Sequence, residues 1–156
     1  MKKIIFVCTG NTCRSPMAEK LGEKIAEEKG LKVDVLSRGI SVIKPEPAHS
    51  NAIKALALYE LNLTDHIAKN FNDIDANEDA LVLTMTMKHK EYLLQLFPSL
   101  VGSVFGIKEY IGEVGDIVDP YGMQVDVYCD CAKQLRSIII KIIDKLKETS
   151  NDSNWL

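Results

Sequence analysis

The chain has 156 residues and a formal net charge of −3, with 46% hydrophobic and 26% charged residues. These values are typical of one globular domain that can bury a stable core without disulfides or metals. The charge gives no indication of a nucleic-acid or membrane partner. No apolar run approaches the roughly 18 residues of a membrane span, and no signal peptide is evident, so we expect a cytoplasmic protein.

Strand-like and helix-like patterns alternate along the chain. In order, they predict strand 2–7, helix 16–28, strand 32–37, loop 40–47, helix 48–61, strand 80–85, helix 87–96, strand 101–107, loop 112–124 and helix 125–147. This alternation predicts one α/β domain over residues 1–149, built on a parallel, doubly wound sheet. Residues 150–156 are predicted to form a tail.

A segment rich in polar residues, Cys-Thr-Gly-Asn-Thr-Cys-Arg-Ser-Pro at 8–16, joins the first predicted strand to the first helix. Ligands of parallel sheets bind at this edge, and a helix N-terminus attracts anions. Ser15 suits the N-cap and Pro16 the first helical position. The segment lacks the Walker and dinucleotide patterns. It predicts a phosphate-binding loop made of Thr9, Gly10, Asn11, Thr12, Cys13, Arg14 and Ser15, in which Gly10 and Asn11 can adopt unusual φ angles.

Cys8 and Arg14 give this loop a chemistry that simple anion sites lack. A thiol that faces a helix N-terminus and an arginine is stabilised as the thiolate. A thiolate beneath a phosphoryl group is an in-line nucleophile, and a guanidinium can hold two phosphoryl oxygens through the transition state. The alternative is a core cysteine after a strand and an unrelated surface arginine.

Asp119 is the candidate proton donor for the leaving group. It precedes Pro120 and Tyr121 in the loop after the fourth predicted strand, at the same sheet edge. As general acid it would protonate the leaving atom, and as base it would then activate the water that hydrolyses phosphocysteine. The alternative is an ordinary Asp-Pro turn.

The remaining cysteines and histidines have simpler interpretations. The spacings of Cys8, Cys13, Cys129 and Cys131 do not match common structural zinc sites. Cys131 falls on the apolar stripe of the last helix, whereas Cys129 is expected to be more exposed. His49 is interpreted as solvated or as a cap near its helix start, and His89, between two lysines, as solvated.

Together the 8–19 segment and Asp-Pro-Tyr-Gly at 119–122 resemble the low-molecular-weight protein tyrosine phosphatase family. The resemblance implies a four-stranded parallel sheet flanked by helices on both faces, no metal and no cofactor, and phosphorylated proteins or peptides as substrates. It implies Cys8 as nucleophile, Arg14 as phosphate binder and Asp119 as general acid and base. It also implies a supporting hydrogen-bond network of Asn11, Ser15, Ser37 and His66, and Cys13 as a disulfide partner that protects Cys8 from overoxidation.

Thr12 and Tyr121 bear on the substrate. Tyrosine-specific members commonly have Ile at the position of Thr12, so this chain resembles the bacterial protein-arginine phosphatase branch. A shorter, hydroxylated side chain accommodates a polar guanidinium, and only one aromatic residue, Tyr121, follows Asp-Pro. Phosphotyrosine remains the alternative, because Tyr121 can stack on a phenol as well as on a guanidinium.

Two further alternatives belong to other functional classes. A thiol-dependent arsenate reductase needs extra cysteines on a segment after the third strand, and residues 80–100 contain none. A non-catalytic phosphopeptide-binding module is disfavoured by the presence of both Cys8 and Asp119.

Overall fold

The computed structural model describes residues 2–150, with the side chain of residue 150 left out. Its elements in chain order are β1 (Lys3–Cys8), α1 (Arg14–Glu28), β2 (Asp34–Gly39), α2 (Ser50–Ala57), α3 (Asp73–Ala76), β3 (Ala80–Thr84), α4 (Met87–Leu96), a 3₁₀ turn (Pro98–Leu100), β4 (Val104–Gly106), α5 (Ile107–Tyr110) and α6 (Val125–Ser150).

The four strands form one parallel sheet with the order β2-β1-β3-β4. β1 is central, and its side chains alternate between two buried layers. Ile4 and Phe6 pack with α1, α2 and α6, whereas Ile5 and Val7 pack with α4 and β4 on the other face. A strand covered on both faces must be apolar throughout, which explains the continuous apolar run before Cys8. The predicted fold class is confirmed.

Several element boundaries differ from the predictions. The second helix ends at Ala57 rather than at residue 61, because the chain turns at Glu60, whose φ is 59°. The fourth strand is only Val104–Gly106, since Pro98 begins a 3₁₀ turn and Ile107 begins α5. Alternation alone cannot detect such short helical turns.

Two short helices, α3 and α5, were not predicted. In α3, Asn72 and Asp75 form a reciprocal capping box, which stabilises a helix of one turn. The last helix extends to Ser150, into the predicted tail at 150–156, and residues 151–156 lie outside the described part of the chain. None of the described helices is both long and apolar enough to cross a bilayer.

Candidate active site

The loop between β1 and α1 presents a row of free backbone donors. No backbone N–H from Thr9 to Ser15 has a hydrogen-bond partner within residues 2–150. The first bond of α1 runs from the N–H of Met17 to the carbonyl of Cys13, at 3.2 Å. Unpaired donors at a helix N-terminus favour a bound anion, and here they curve around the end of β1 where Cys8 lies.

Cys8 lies at the floor of this loop and is 3% exposed. Its Sγ is 2.9 Å from the Oγ of Ser15. The Nδ2 of Asn11 donates to the same Oγ at 2.8 Å. Because Asn11 supplies a proton to the Ser15 oxygen, the hydroxyl proton of Ser15 is available to a thiolate at Cys8.

Asn11 holds the loop in its curved shape. Its φ of 56° lies in the left-handed region, which asparagine tolerates better than most residues. The backbone carbonyl of Asn11 is hydrogen-bonded to Nε2 of His66 at 2.7 Å, and the Oδ1 of Asn11 accepts from the N–H of Lys69 at 2.9 Å. Burial lowers the pKa of His66, so the ring is neutral near pH 7 and Nε2 carries the proton that the carbonyl accepts. Gly10, by contrast, has no positive φ.

Arg14 is the first residue of α1 and is buried. Its Nη1 donates to the carbonyl of Ile117 at 2.9 Å, and its Nη2 lies 3.6 Å from Oδ2 of Asp119. These contacts bring the loop at 112–124 over the phosphate-binding loop. The sequence-predicted nucleophile, phosphate binder and general acid are therefore brought to one place.

Asp119 and Tyr121 form the outer wall of the site. The N–H of Tyr121 donates to Oδ1 of Asp119 at 3.1 Å, a local turn that orients the carboxylate. The Tyr121 ring is 68% exposed and contacts the edge of His49 at 5.8 Å between centroids. His49 caps α2 by accepting from the N–H of Asn51 at 3.1 Å, as one of its two interpretations expected, and stacks on Tyr128 at 5.1 Å.

The opposite wall is the loop at 40–47, which contributes aliphatic rather than aromatic side chains. Asn70 clamps it: its Oδ1 accepts from the N–H of Val42 at 2.8 Å and its Nδ2 donates to the Val42 carbonyl at 2.9 Å. Ile43, at the tip, is 97% exposed. The enclosed cleft has a volume of about 350 Å³, and its lining includes Cys8, Thr12, Asp119, Tyr121 and Glu46.

Gly39, the last residue of β2, permits close contact between this wall and the phosphate-binding loop. A Cβ at Gly39 would lie 2.7 Å from the carbonyl oxygen of Thr9 and 2.6 Å from Cγ2 of Val42. That same carbonyl accepts from the N–H groups of Ile40 and Ser41, each at 3.0 Å. Only glycine fits here without moving the loop.

Cys13 is buried next to the loop, where its Sγ lies 3.4 Å from the hydroxyl of Tyr128 and 3.7 Å from Oγ1 of Thr12. Burial raises the pKa of the Cys13 thiol, so this sulfur is protonated near pH 7. Its predicted role as disulfide partner of Cys8 stays a prediction. Cys131 is a core residue, as expected, and burial raises its pKa to about 12, while Cys129 is only half-buried.

Two sequence-based interpretations, of Ser15 and His89, need correction, and the role of Ser37 stays a prediction. Ser15 is not the N-cap: α1 begins at Arg14, Cys13 occupies the cap position without a side-chain bond, and Pro16 is the third helical residue. Ser37 is buried, and its hydroxyl forms no hydrogen bond with Asn11, Ser15 or His66 in the described residues, so its place in the network stays a prediction. His89 is buried rather than solvated, because the first turn of α4 packs against Thr9.

Sequence reasoning also missed backbone groups that complete the site. The carbonyl of Arg38, next to Ser37, lies 3.3 Å from the Ser15 hydroxyl. Arg38 is itself held by an ion pair from its Nε to Asp75 at 3.0 Å. The carbonyl of Ile117 plays a similar part for Arg14. Backbone acceptors carry no residue-type signature, so no pattern in the sequence could have identified them.

A family model for low molecular weight phosphotyrosine protein phosphatases matches residues 3–152. The chain belongs to this family. With Cys8, Arg14 and Asp119 assembled in the cleft, it is a low molecular weight, cysteine-dependent phosphatase.

Named relatives of this phosphatase fall into two groups. The protein-arginine-phosphatase of Bacillus subtilis (strain 168) is 38% identical over 146 residues, which cover 93% of this chain and 97% of that protein. The low molecular weight protein-tyrosine-phosphatase PtpB of Staphylococcus haemolyticus is 38% identical over 141 residues, which cover 90% of this chain and 96% of that protein.

Solved structures divide in the same way. A Cys-to-Ser mutant of the YwlE arginine phosphatase, with a phosphorylated active-site serine, superposes with a TM-score of 0.91 at 36% identity and 99% coverage of both chains. A low molecular weight protein tyrosine phosphatase from T. tengcongensis gives a TM-score of 0.89 at 39% identity, covering 93% of this chain and 99% of that one.

Proposed function

We propose that this phosphatase hydrolyses phosphoarginine in proteins through a phosphocysteine intermediate on Cys8. The observation that carries the proposal is the position of Thr12, whose side chain lines the cleft beside Cys8 and Cys13. A hydroxyl at this position can hydrogen-bond a guanidinium, whereas a longer aliphatic chain would narrow the cleft and leave guanidinium N–H groups unpaired.

Hydrogen-bond acceptors in the cleft suit the same substrate. Asp119 and Glu46 both line it, and Lys44, which lines it too, pairs with Glu46 at 3.9 Å. A carboxyl group can accept a hydrogen bond from a guanidinium N–H even when it is protonated, as Asp119 must be to act as the acid. A phenol ring offers no such donor. The B. subtilis relative named as a protein-arginine-phosphatase supports the proposal, although the similarly distant PtpB sequence does not.

The first chemical step forms the S–P bond and breaks the P–N bond. The Cys8 thiolate, with a hydrogen bond from Ser15, attacks phosphorus while the loop N–H groups and Arg14 hold the phosphoryl oxygens. The electron pair of the P–N bond passes to nitrogen, which takes a proton from Asp119. Arginine then leaves as its ordinary guanidinium cation.

The second step hydrolyses the phosphocysteine. Asp119, now a carboxylate, takes a proton from a water molecule, and the resulting hydroxide attacks phosphorus in line with the S–P bond. That bond breaks, the electron pair returns to sulfur as thiolate, and phosphate leaves. The phosphorylated active-site serine of the YwlE arginine phosphatase mutant supports a covalent intermediate. Because the cycle requires a reduced Cys8, we place the enzyme and its substrate proteins in the cytoplasm.

The test compares kcat/KM for a phosphoarginine-containing protein with that for a phosphotyrosine peptide. We expect at least a tenfold preference for phosphoarginine, while a tenfold preference for phosphotyrosine would overturn the proposal. Cys8→Ser should abolish turnover of both substrates, and Cys129→Ser, on half-buried α6 surface, is the matched control that should retain it.

Asp119→Asn sharpens this comparison. Guanidine nitrogen is a far poorer leaving group than phenolate, so loss of the proton donor should slow phosphoarginine hydrolysis more than phosphotyrosine hydrolysis. Para-nitrophenyl phosphate, whose leaving group needs no proton, should be affected least. Equal losses on all three substrates would show that Asp119 does not act as the acid.

A further inference from the structure

His89 is a buried histidine for which the catalytic steps above have no use. It lies in the first turn of α4 and is 6% exposed. Its position is fixed by the helix cap, because its own N–H donates to Oγ1 of Thr86 at 3.1 Å. Its side chain points from α4 to the phosphate-binding loop.

The imidazole makes one hydrogen bond. Its Nε2 lies 2.9 Å from Oγ1 of Thr9, and its Nδ1 is buried without a partner among the described residues. A neutral imidazole carries its proton on one nitrogen only. A proton on Nδ1 would be a buried orphan donor, which is rare and costly, whereas a bare Nδ1 lone pair costs less. The proton therefore belongs on Nε2, and His89 is the donor to Thr9.

This assignment determines what Thr9 can do. Thr9 directly follows the nucleophile, is exposed, and lines the cleft. The Thr9 oxygen accepts a hydrogen bond from the N–H of His89. The hydroxyl proton of Thr9 has no acceptor in the described part of the protein, so it is available to a ligand. Its backbone is fixed as well, since the Thr9 carbonyl accepts from the N–H groups of Ile40 and Ser41.

The electrostatic surroundings keep His89 neutral. Burial, together with the nearby Arg14 guanidinium, lowers the pKa of His89 to about 4, although Asp116 and Asp119 act in the opposite direction. At neutral pH the ring thus donates through Nε2 without adding a positive charge beside Arg14. A charged ring would compete with Arg14 for Asp119.

We propose that His89 is a positioning residue that orients the Thr9 hydroxyl as an additional hydrogen-bond donor to the phosphoryl group bound above Cys8. The hydroxyl supplements the backbone N–H groups, and His89 prevents it from rotating away. The inference concerns the phosphate end of the substrate, so it holds for phosphoarginine and phosphotyrosine alike.

The experiment is a double-mutant cycle on Thr9→Val and His89→Leu, with para-nitrophenyl phosphate as substrate and inorganic phosphate as inhibitor. Each single variant should lower kcat/KM and raise the phosphate inhibition constant by up to about tenfold. A change of that size corresponds to the loss of one neutral hydrogen bond. The double variant should lose little more than either single one, because both remove the same bond. Thr9→Ser and His89→Gln, which keep the hydroxyl and an N–H donor, should recover part of the loss.

A purely structural role predicts a different outcome. His89→Leu would then lower the melting temperature and the activity, while Thr9→Val would leave kcat/KM and phosphate inhibition unchanged. Independent, multiplicative losses in the double variant would also overturn the proposal. Lys88→Ala, on the exposed side of the same helical turn, is the control that should match the wild type in every assay. Because the substrate is neither phosphoarginine nor phosphotyrosine, failure here is independent of the proposed substrate.

Discussion

The Sγ of Cys8 and the Oγ of Ser15 lie 2.9 Å apart in the buried floor of the cleft. The hydroxyl can also reach the carbonyl of Arg38, but at a longer 3.3 Å. When Cys8 is a thiolate, the charged sulfur is the stronger acceptor, so the proton turns to it. In the proposed mechanism, Ser15 thereby stabilises the Cys8 sulfur both as nucleophile and as leaving group.

Replacing Ser15 with alanine should therefore slow both chemical steps. Charge-assisted hydrogen bonds contribute about 1.5–3 kcal/mol, so we expect kcat to fall roughly 10- to 100-fold. Ser37→Ala is the comparison variant: its buried hydroxyl forms no hydrogen bond with Cys8, Asn11 or Ser15 in the described residues, so its removal should leave kcat unchanged. A comparable loss in that variant would place Ser37 in the catalytic network.

Replacing Thr12 with isoleucine should shift the substrate preference towards phosphotyrosine. The ratio of the two kcat/KM values is the quantity to measure, and we expect it to change by about tenfold or more, since an unpaired polar group costs about 1–3 kcal/mol. Thr12→Val separates the two physical causes, because it removes the hydroxyl while keeping the volume. A ratio that stays constant in both variants would remove the main support for phosphoarginine.

Replacing Gly39 with alanine should disturb the site through packing alone. The new methyl group would meet the Thr9 carbonyl at 2.7 Å, and relieving that contact means moving the phosphate-binding loop or the wall loop. We expect a loss of about 1–3 kcal/mol in unfolding free energy, measured with urea, and a lower kcat. Gly102→Ala is the control: its φ of 83° makes alanine strained, but its Cβ meets open space. It should lower stability and spare kcat, and equal effects on kcat would contradict the loop argument.

The folded protein should lose stability at acidic pH, because His66 and His89 are held neutral in its interior. The pKa of His89 is lowered to about 4 from an ordinary value of 6.5, and that of His66 is also lowered. Between about pH 4 and pH 6.5, the unfolded chain therefore binds more protons than the folded protein. The stabilisation is fully present above pH 6.5 and is lost as the pH falls towards 4, by on the order of 3 kcal/mol for His89.

Urea unfolding at pH 7.5 and pH 4.5 measures this effect. In wild type the unfolding free energy should drop more between the two pH values than in His89→Gln, which cannot titrate. Arg14, Asp116 and Asp119, the charged groups that act on the ring, are all retained in the variant. An identical drop in both proteins would show that His89 does not govern the acid sensitivity.

Prediction from sequence worked best where residues adjacent in the chain form the site. Cys8 to Ser15 is a continuous segment. Because it connects the end of a strand directly to the start of a helix, the direction of its backbone N–H groups is largely fixed. Prediction failed where a loop residue contacts a residue from an element that is distant in the sequence. His89, between two lysines, gives no sign of burial, because only the packing of α4 on Thr9 removes it from water. The strand pattern of β2 likewise does not reveal that the carbonyl of Arg38 lies within reach of the Ser15 hydroxyl.

The sequence by itself determined the sheet, the phosphate-binding loop and its chemistry, because apolar periodicity and a local run of reactive residues act over a few positions. Only the tertiary structure decided which groups orient that chemistry. The Ile117 carbonyl lies 103 residues from Arg14, and His89 lies 80 residues from Thr9. Their contacts depend on how β1, α4 and the Asp119 loop meet at one sheet edge, a geometry that arises from the packing of the whole core.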